Sequence, residues 1–260
     1  MKCKEIIDCL EAQGEWVDRS FTKDRVLVGD PQMQLKGVGV CWTASMAMLE
    51  KMVSAGVNLV VSHENPFYLE STCLPSALKE TKDAKRRYCE KNGMVIYRCH
   101  DLWDRFPAQG VLDSWSEQIG VGIPREANGF IRLIDVPATT AGLLARSLAK
   151  AVSRFGEDGL SFIGDPVRPV SCLAVGTGAI TDVFRMRDLG ADACLVTDDG
   201  IRSWVEIQWA ADEGMPLFIV NHRTSEMAGM QGLADYLSAE FPDQRVELYR
   251  SDVSIEHIAC

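Results

Sequence analysis

The stretch VVSHENP, residues 60–66, is an apolar run of strand character that stops on a histidine and a glutamate. The preceding residues 44–54 have the pattern of a helix, and Gly56 follows as its C-terminal cap. His63 and Glu64 therefore end the second strand of a predicted strand–helix–strand unit. Because open parallel sheets bind ligands beyond the carboxyl ends of their strands, we expect a functional site here. The alternative is a hydrogen-bonded histidine at a sheet edge.

The composition indicates a folded globular protein and excludes some partners. The 260 residues are 47% hydrophobic and 25% charged, with a formal net charge of −10. This acidic balance argues against direct nucleic acid binding, which needs a clustered basic face. The basic run KRR at residues 85–87 lies in an otherwise mixed helical pattern, which predicts a solvated helix face.

The chain carries no pattern for a membrane or for secretion. It contains no apolar run of the roughly 18 residues that a membrane span needs. Residues 1–14 hold no uninterrupted apolar stretch, so we expect no signal peptide. The nine cysteines include no C-x-x-C pair. Reduced thiols and a cytoplasmic location are the prediction.

An internal repeat with an offset of about 135 residues organises the chain. The turn VGDP at residues 28–31 recurs as IGDP at residues 163–166, and a strand follows each. A helix, a glycine, a second strand, a second helix and a third strand ending near a histidine then recur in the same order. Chance matches rarely preserve such an order, so the repeat predicts two homologous lobes.

The predicted fold class is therefore α/β, with two pseudo-symmetric lobes and mainly parallel sheets. The first lobe covers residues 1–122 and the second residues 123–260, and no Pro/Gly/Ser-rich linker separates them. We expect the lobes to pack against each other, with a metal site in the cleft between them. Residues 139–155 form the counterpart of the N-terminal helix, and FIRLIDV at residues 130–136 has strand character beside the junction.

The candidate metal ligands are histidines and carboxylates at predicted strand ends. His100 is followed four residues later by Asp104, and His222 by Glu226. This spacing places both side chains on one face of a helical turn, or lets them converge on one ion from a loop. Of the four histidines, only His257 lies elsewhere, in a polar tail, and we assign it no role.

The donor set suits a transition metal and is large enough for two ions. Nitrogen and oxygen donors without thiolates favour zinc, iron, manganese, cobalt or nickel. Two divalent ions about 3.5 to 4 Å apart would use the whole set and activate water for hydrolysis. The alternative is a buried cluster of ion pairs. The candidate ligands are His63, Glu64, His100, Asp104, His222 and Glu226, with Asp101 as a further option.

Two weaker signals accompany this set. Gly176-Thr177-Gly178 follows a predicted strand and opens a helix, so its amides can hold an anion, although a plain tight turn is the more frequent origin of such a pattern. Trp103 lies between His100 and Asp104 and is a candidate for stacking on a purine ring.

Several motifs together resemble one known family over almost the whole chain. They are LVGDP at 27–31, VVSHENPF at 60–67, His100 to Asp104, GDPVRP at 164–169, and NHRTSE at 221–226, which is similar to the family's GHHATE. The chain thus resembles the Ngg-interacting factor three-like family, also labelled dinuclear-metal-centre proteins or GTP cyclohydrolase type two. The resemblance implies a ring-shaped homo-hexamer with its metals facing an inner cavity. It also implies metal ligands at His63, Asp104, His222 and Glu226, with His100 near the site.

The chain departs from the family pattern at one position. Many members have two adjacent histidines where this chain has His63-Glu64, or Ser62-His63 if the register shifts by one. A carboxylate can still bind metal, but it changes the preference among ions.

Two functions follow from the residues and the resemblance. The first is a metal-dependent hydrolase in which Glu64 or Glu226 acts as a ligand or proton shuttle. Its substrate would be a small molecule, and the family label points to a purine nucleotide. The second is a non-catalytic, metal-binding, ring-shaped assembly that binds a protein or small-molecule partner. Metal content and nucleotide hydrolysis separate the two.

Overall fold

The structure is a computed structural model that describes residues 1–71, 73–251, 253 and 255. His257 lies outside these residues. Packing divides the chain into two compact units. The first comprises Met1–Phe106 and Met230–Val253, and the second contains Pro107–Gly229.

The elements of residues 1–106 alternate between strands and helices. In chain order they are α1 (Cys3–Ala12), β1 (Arg25–Val28), β2 (Val38–Cys41), α2 (Met46–Ser54), β3 (Leu59–Ser62), α3 (Ser76–Lys91), β4 (Val95–Arg98) and α4 (Asp101–Asp104).

The rest of the chain supplies the elements of the second unit and then returns to the first. In order they are α5 (Val111–Gln118), β5 (Ile123–Asn128), β6 (Ile131–Thr140), α6 (Ala141–Val152), β7 (Ser161–Ile163), β8 (Pro169–Val175), α7 (Val183–Asp188), β9 (Ala193–Thr197), α8 (Gln208–Glu213), β10 (Leu217–Val220), α9 (His222–Glu240) and β11 (Val246–Tyr249). Short 3₁₀ turns at Ser153–Phe155 and Gly178–Ile180 and a π-helical turn at Ser203–Ile207 lie between them.

The first sheet has the strand order β1-β4-β3-β2-β11. Strands β4, β3, β2 and β11 run parallel, and β1 pairs with β4 in the antiparallel direction. All residues of β2, β3 and β4 are buried, which explains their mainly apolar sequence. The carboxyl ends of β3 and β4 therefore lie side by side.

The second sheet has the strand order β5-β6-β8-β9-β10-β7. Its centre, β8-β9-β10, is parallel. The sheet as a whole is mixed, because the β5–β6 hairpin and β7 add antiparallel pairings.

The internal repeat is visible in the topology of the two sheets. The order β1-β4-β3-β2 in the first sheet matches β7-β10-β9-β8 in the second, with an antiparallel first pairing and parallel pairings after it. The predicted α/β class with two lobes is confirmed. The packing units place residues 107–122 in the second unit and residues 230–253 in the first. The sequence boundary at residue 122 stays a prediction about the homologous halves.

Local sequence signals explain where the helices begin and which faces they bury. The Ser45 hydroxyl accepts a hydrogen bond from the amide of Met48 and so caps α2, and Gly56 follows the helix with φ +77°. In α6, which lies within the predicted helix at residues 139–155, Leu144, Leu148 and Val152 form an apolar stripe and pack in the core of the second unit.

The predicted solvated face at residues 85–87 is wrong for two of its three members. Lys85 is 4% exposed, and its ammonium donates hydrogen bonds to the carbonyls of Ala44 and Pro66. The guanidinium of Arg86 lies 4.6 Å from the centre of the Phe67 ring. The aliphatic parts of these long side chains allow them to cover apolar surface, which a pattern of charges does not show.

Within the described residues, no helix is both long and apolar enough to cross a bilayer.

Candidate metal centre

His63 directly follows β3 and is completely buried. Its Nδ1 lies 3.1 Å from the carbonyl oxygen of Cys99, beyond the end of the neighbouring strand β4. Because a carbonyl only accepts hydrogen bonds, Nδ1 carries the proton in this contact. The other ring nitrogen, Nε2, lies 3.4 Å from Asp104 Oδ1. The strand end thus holds Nε2 in the orientation and tautomer of a metal ligand.

His100 and Asp104 are placed by the short helix α4. The buried carboxylate of Asp24 accepts hydrogen bonds from the amides of His100 and Leu102 and so fixes the start of this helix. One helical turn separates His100 from Asp104, and His100 Nδ1 lies 3.2 Å from Asp104 Oδ2. The sequence left a helical turn or a loop open for the His-x-x-x-acid pair, and His100 and Asp104 are joined by a helical turn.

His63, His100 and Asp104 form one compact group. Each offers a ligand atom, and these atoms all lie within 4.8 Å of one another. The two imidazole rings stack in parallel, with centroids 4.5 Å apart and planes 7° from coplanar. The sequence placed these residues at two strand ends, and the parallel pairing of β3 with β4 brings them together.

Glu64 and Asp101 extend this group. Glu64 Oε2 accepts a 2.6 Å hydrogen bond from the guanidinium of Arg98, and Oε1 lies 3.4 Å from His100 Nε2. Asp101 Oδ1 lies 2.9 Å from His100 Nδ1, and its other oxygen accepts hydrogen bonds from the Lys23 amide and the Thr22 hydroxyl. Both carboxylates therefore contact His100.

The electrostatics of the first group favour positive charge at its centre. Burial by itself lowers the pKa of His100, but contacts with Asp101, Asp104 and Glu64 raise it to about 11. Burial by itself raises the pKa of Asp104 and of Glu64, yet the neighbouring histidines hold both well below the usual range. Three carboxylates thus surround His100, and Arg98 balances only part of their charge.

The second unit carries a related arrangement at the start of α9. His222 Nε2 lies 3.0 Å from Glu226 Oε1, one helical turn further on. His222 Nδ1 lies 2.8 Å from Asp199 Oδ2. Asp198 accepts hydrogen bonds from the His222 amide and from the side chain of Asn221, and so fixes the helix start as Asp24 does for α4.

The environment of His222 also favours its charged form. Burial by itself lowers the pKa of His222, but hydrogen bonds and charge interactions with Glu226 and Asp199 raise it to about 9.

Gly178 has no side chain, and this leaves space next to the candidate ligand atoms of His222 and Glu226. A Cβ at this position would lie 2.8 Å from Glu226 Oε1 and 3.2 Å from His222 Nε2. The Gly178 amide donates to the Ser225 hydroxyl at 3.3 Å. The weak signal at Gly176-Thr177-Gly178 therefore corresponds to close approach of the backbone to His222 and Glu226, with the Gly178 amide hydrogen-bonded inside the protein.

Sequence reasoning missed Asp199, Arg98 and Asp24. Asp199 lies about 135 residues after Glu64, so the repeat makes the two residues counterparts. Each contacts the strand-end histidine of its own unit, Glu64 contacting His100 and Asp199 contacting His222. The repeat was the signal that could have identified Asp199.

The stacking role predicted for Trp103 is wrong. Its side chain is completely buried, and it stacks on Phe106 with ring centroids 4.4 Å apart. Tyr236 packs against the same pair of rings. Trp103 is therefore part of the aromatic core of the first unit.

Three observations indicate that the histidine–carboxylate groups of the two units are suited to binding divalent metal ions. The first group supplies two imidazoles and a carboxylate with converging ligand atoms, which suits the predicted ions. The hydrogen bonds of His63 with Cys99 and of His222 with Asp199 are the outer contacts that orient metal-bound imidazoles. With neutral histidines, the carboxylates around His100 leave an excess of negative charge, which a dication would balance.

These observations define a two-lobed α/β protein whose strand ends carry histidine–carboxylate groups suited to divalent metal ions. The family described as Duf34/NIF3 (NGG1p interacting factor 3) matches residues 1–256, and the chain belongs to this family.

The chain is similar in sequence or in structure to several proteins, at low sequence identity. The chain is 21% identical over 221 residues to a protein of Chlamydia pneumoniae named GTP cyclohydrolase 1 type 2 homolog, covering 83% of this chain and 84% of the relative. The structure is similar to the hypothetical protein SA1388 of Staphylococcus aureus, with a TM-score of 0.82, 16% identity and 99% coverage of both chains. It is also similar to a Bacillus cereus protein related to NIF3, with a TM-score of 0.82, 12% identity, and coverage of 100% of this chain and 99% of that one.

Asp199→Asn tests the orienting contact of His222. The amide keeps the shape of the side chain but removes the charge beside Nδ1, so we expect metal affinity at His222 to fall about 10- to 100-fold. Titration of metal-depleted protein with zinc or manganese measures this. Asp212→Asn is the matched control, an exposed position on α8 where the carboxylate accepts a hydrogen bond from the Gln208 side chain. Equal affinities in both variants would contradict the orienting role.

Proposed function

We propose that the protein is a metal-dependent hydrolase that binds two divalent transition-metal ions per chain. The main support is the group formed by His63, His100 and Asp104, whose ligand atoms lie within 4.8 Å of one another. The pair His222 and Glu226, with Asp199 behind it, supports a second set of ligands. Bound ions would lower the pKa of water toward neutrality and so supply a nucleophile.

The protein's own residues orient the ligands and exclude water. The Cys99 carbonyl and the Asp199 carboxylate each hold an imidazole by its Nδ1, so that Nε2 remains the binding atom. His63 and Glu226 are at most 3% exposed, so they act in a largely dry environment where electrostatic interactions are strong.

The two proposed catalytic carboxylates have different surroundings. Arg98 holds Glu64 Oε2, which favours a fixed, ionised Glu64 that orients His100 and contributes a ligand oxygen. Glu226 contacts His222 through Oε1 and lies one helical turn after it in α9. We assign the role of proton carrier to Glu226 for this reason.

The substrate class in this proposal is a purine nucleotide, opened by GTP cyclohydrolase-like hydrolysis of its ring. Its support is the name of the Chlamydia pneumoniae relative together with the family match. A cytoplasmic location agrees with the eight cysteines in the described part of the chain, which are all free thiols.

The test combines metal content with turnover. Protein purified without chelator is expected to contain close to two transition-metal ions per chain by elemental analysis. The double variant His222→Ala, Glu226→Ala is expected to lose the ion held by that pair and all hydrolysis in a screen of purine nucleotides. Trace metal in folded wild-type protein would overturn the proposal. Stoichiometric metal without turnover would favour the alternative, a non-catalytic metal-binding assembly that binds a partner.

A further inference from the structure

A groove of about 340 Å³ in the first unit differs in charge from the rest of this acidic protein. Three cationic side chains line it, and one carboxylate faces them. The cations are Arg25, Lys82 and Arg86, and the carboxylate is Glu70. Such a local excess of positive charge in a chain of net charge −10 is the feature expected of an anion site.

The cations of the groove are held in place by the surrounding backbone. Arg86 lies over the Phe67 ring and donates from Nη1 to the Leu27 carbonyl at 3.0 Å. Lys82 donates to the Leu69 carbonyl at 2.8 Å. An Arg side chain has five N–H donors and a Lys ammonium three, so each of these cations keeps donors beyond the one that the backbone uses.

Arg25 adds to the local positive charge through its position in the sheet. It pairs with Arg98 across β1 and β4, which places both side chains on the same face of the sheet, close together. Each of the two arginines binds a carboxylate, Arg98 binding Glu64 and Arg25 binding Glu70. Like charges in such a pair repel, so this pair of strands needs anions next to it.

Glu70 occupies the position that a ligand anion would take. Its carboxylate accepts hydrogen bonds from Arg25 and, at 3.1 Å, from the side-chain amide of Asn65. The side chains of Arg25 and Glu70 are 47% and 41% exposed, so solvent screens their ion pair and it opens at little cost. A phosphate carries more charge and more acceptor oxygens than a carboxylate, and it can replace Glu70 on the same donors.

We propose that this groove binds the phosphate or pyrophosphate group of a phosphorylated small molecule, with the Glu70 carboxylate as the internal anion that the ligand displaces. Arg25, Lys82 and Arg86 supply the charge, and the Asn65 amide supplies a neutral donor. Asn65 directly follows Glu64, a candidate metal ligand of the same unit. The proposal concerns binding and does not depend on hydrolysis.

The test is calorimetric titration of the full-length protein with pyrophosphate at constant ionic strength. Arg25→Gln and Lys82→Gln are each expected to weaken binding about fivefold, the upper range for an exposed charge pair. Glu70→Gln is expected to tighten binding by a similar factor, because it removes the competing carboxylate. Arg25 and Glu70 are both surface side chains, so these variants are expected to fold.

Two charge-matched controls lie on α3, the helix that carries Lys82 and Arg86, but outside the groove. Glu80→Gln repeats the charge change of Glu70→Gln, and Arg87→Gln repeats that of Lys82→Gln, at exposed positions of α3. Both are expected to leave the affinity unchanged. Equal shifts in the controls and the groove variants would show a general charge effect and overturn the groove. Binding that is lost in His63→Asn but unchanged in Arg25→Gln would overturn it as well, because pyrophosphate would then be held by metal.

Discussion

Replacement of His63 by Asn is expected to reduce strongly the effect of metal on stability while keeping the local hydrogen bond. The Asn side-chain amide reaches the position of the imidazole Nδ1, so it can still donate to the Cys99 carbonyl, but it has no counterpart of Nε2. In wild-type protein, free ion at a hundredfold excess over its Kd adds about 2.7 kcal/mol of stability. A chelator should therefore lower the wild-type melting temperature by roughly 5–10 °C.

The measurement is the decrease in melting temperature when chelator is added, and this decrease should be much smaller in His63→Asn than in the wild-type protein. Met52→Ala is the control, since it also shortens a completely buried side chain of the first unit but lies outside the candidate group. It should lower the melting temperature by cavity formation, at a cost of about 2–5 kcal/mol, and keep the full response to chelator. An unchanged melting temperature of wild-type protein after chelation would favour the alternative of a buried ion-pair cluster.

The sequence carried most of the information about where the histidines lie, because that information is local. An apolar run that stops at His63 predicts a buried strand and its end, and the structure places β3 at Leu59–Ser62. The spacing from His100 to Asp104 and from His222 to Glu226 predicts a shared helical face once each helix begins at its histidine or directly after it. The helix starts depend on Asp24 and Asp198, which approach from other segments.

Features that depend on contacts distant in sequence could not be predicted in the same way. Strand character in VELY at residues 246–249 does not reveal that β11 pairs with β2. Arg98 lies on a buried strand, where alternation gives no indication that its guanidinium turns to Glu64 and to the His63 carbonyl. Lys85 has the sequence signature of a solvated residue, yet it is buried because its ammonium donates hydrogen bonds to the carbonyls of Ala44 and Pro66, which lie on other segments of the chain. The pairing of distant segments decides each of these cases.

Gly178→Ala is expected to weaken metal binding at His222 and Glu226 with only a modest loss of stability. Gly178 has φ +62°, so an Ala side chain costs about 1–2 kcal/mol through the backbone alone. The new Cβ would lie 2.8 Å from Glu226 Oε1, and this end of a flexible side chain can move away cheaply. That movement displaces a ligand atom, so we expect metal affinity to fall about 10- to 100-fold.

Gly190→Ala separates the backbone cost from the effect on the ligands. Gly190 belongs to the same unit and has φ +94°, but a Cβ there meets nothing within 4 Å. Both variants should therefore lose similar stability in denaturant titration, whereas only Gly178→Ala should lose metal affinity in a zinc or manganese titration. If the two variants bind metal equally well, the space beside Gly178 is not part of a metal site, and the role of His222 and Glu226 as a ligand pair fails with it.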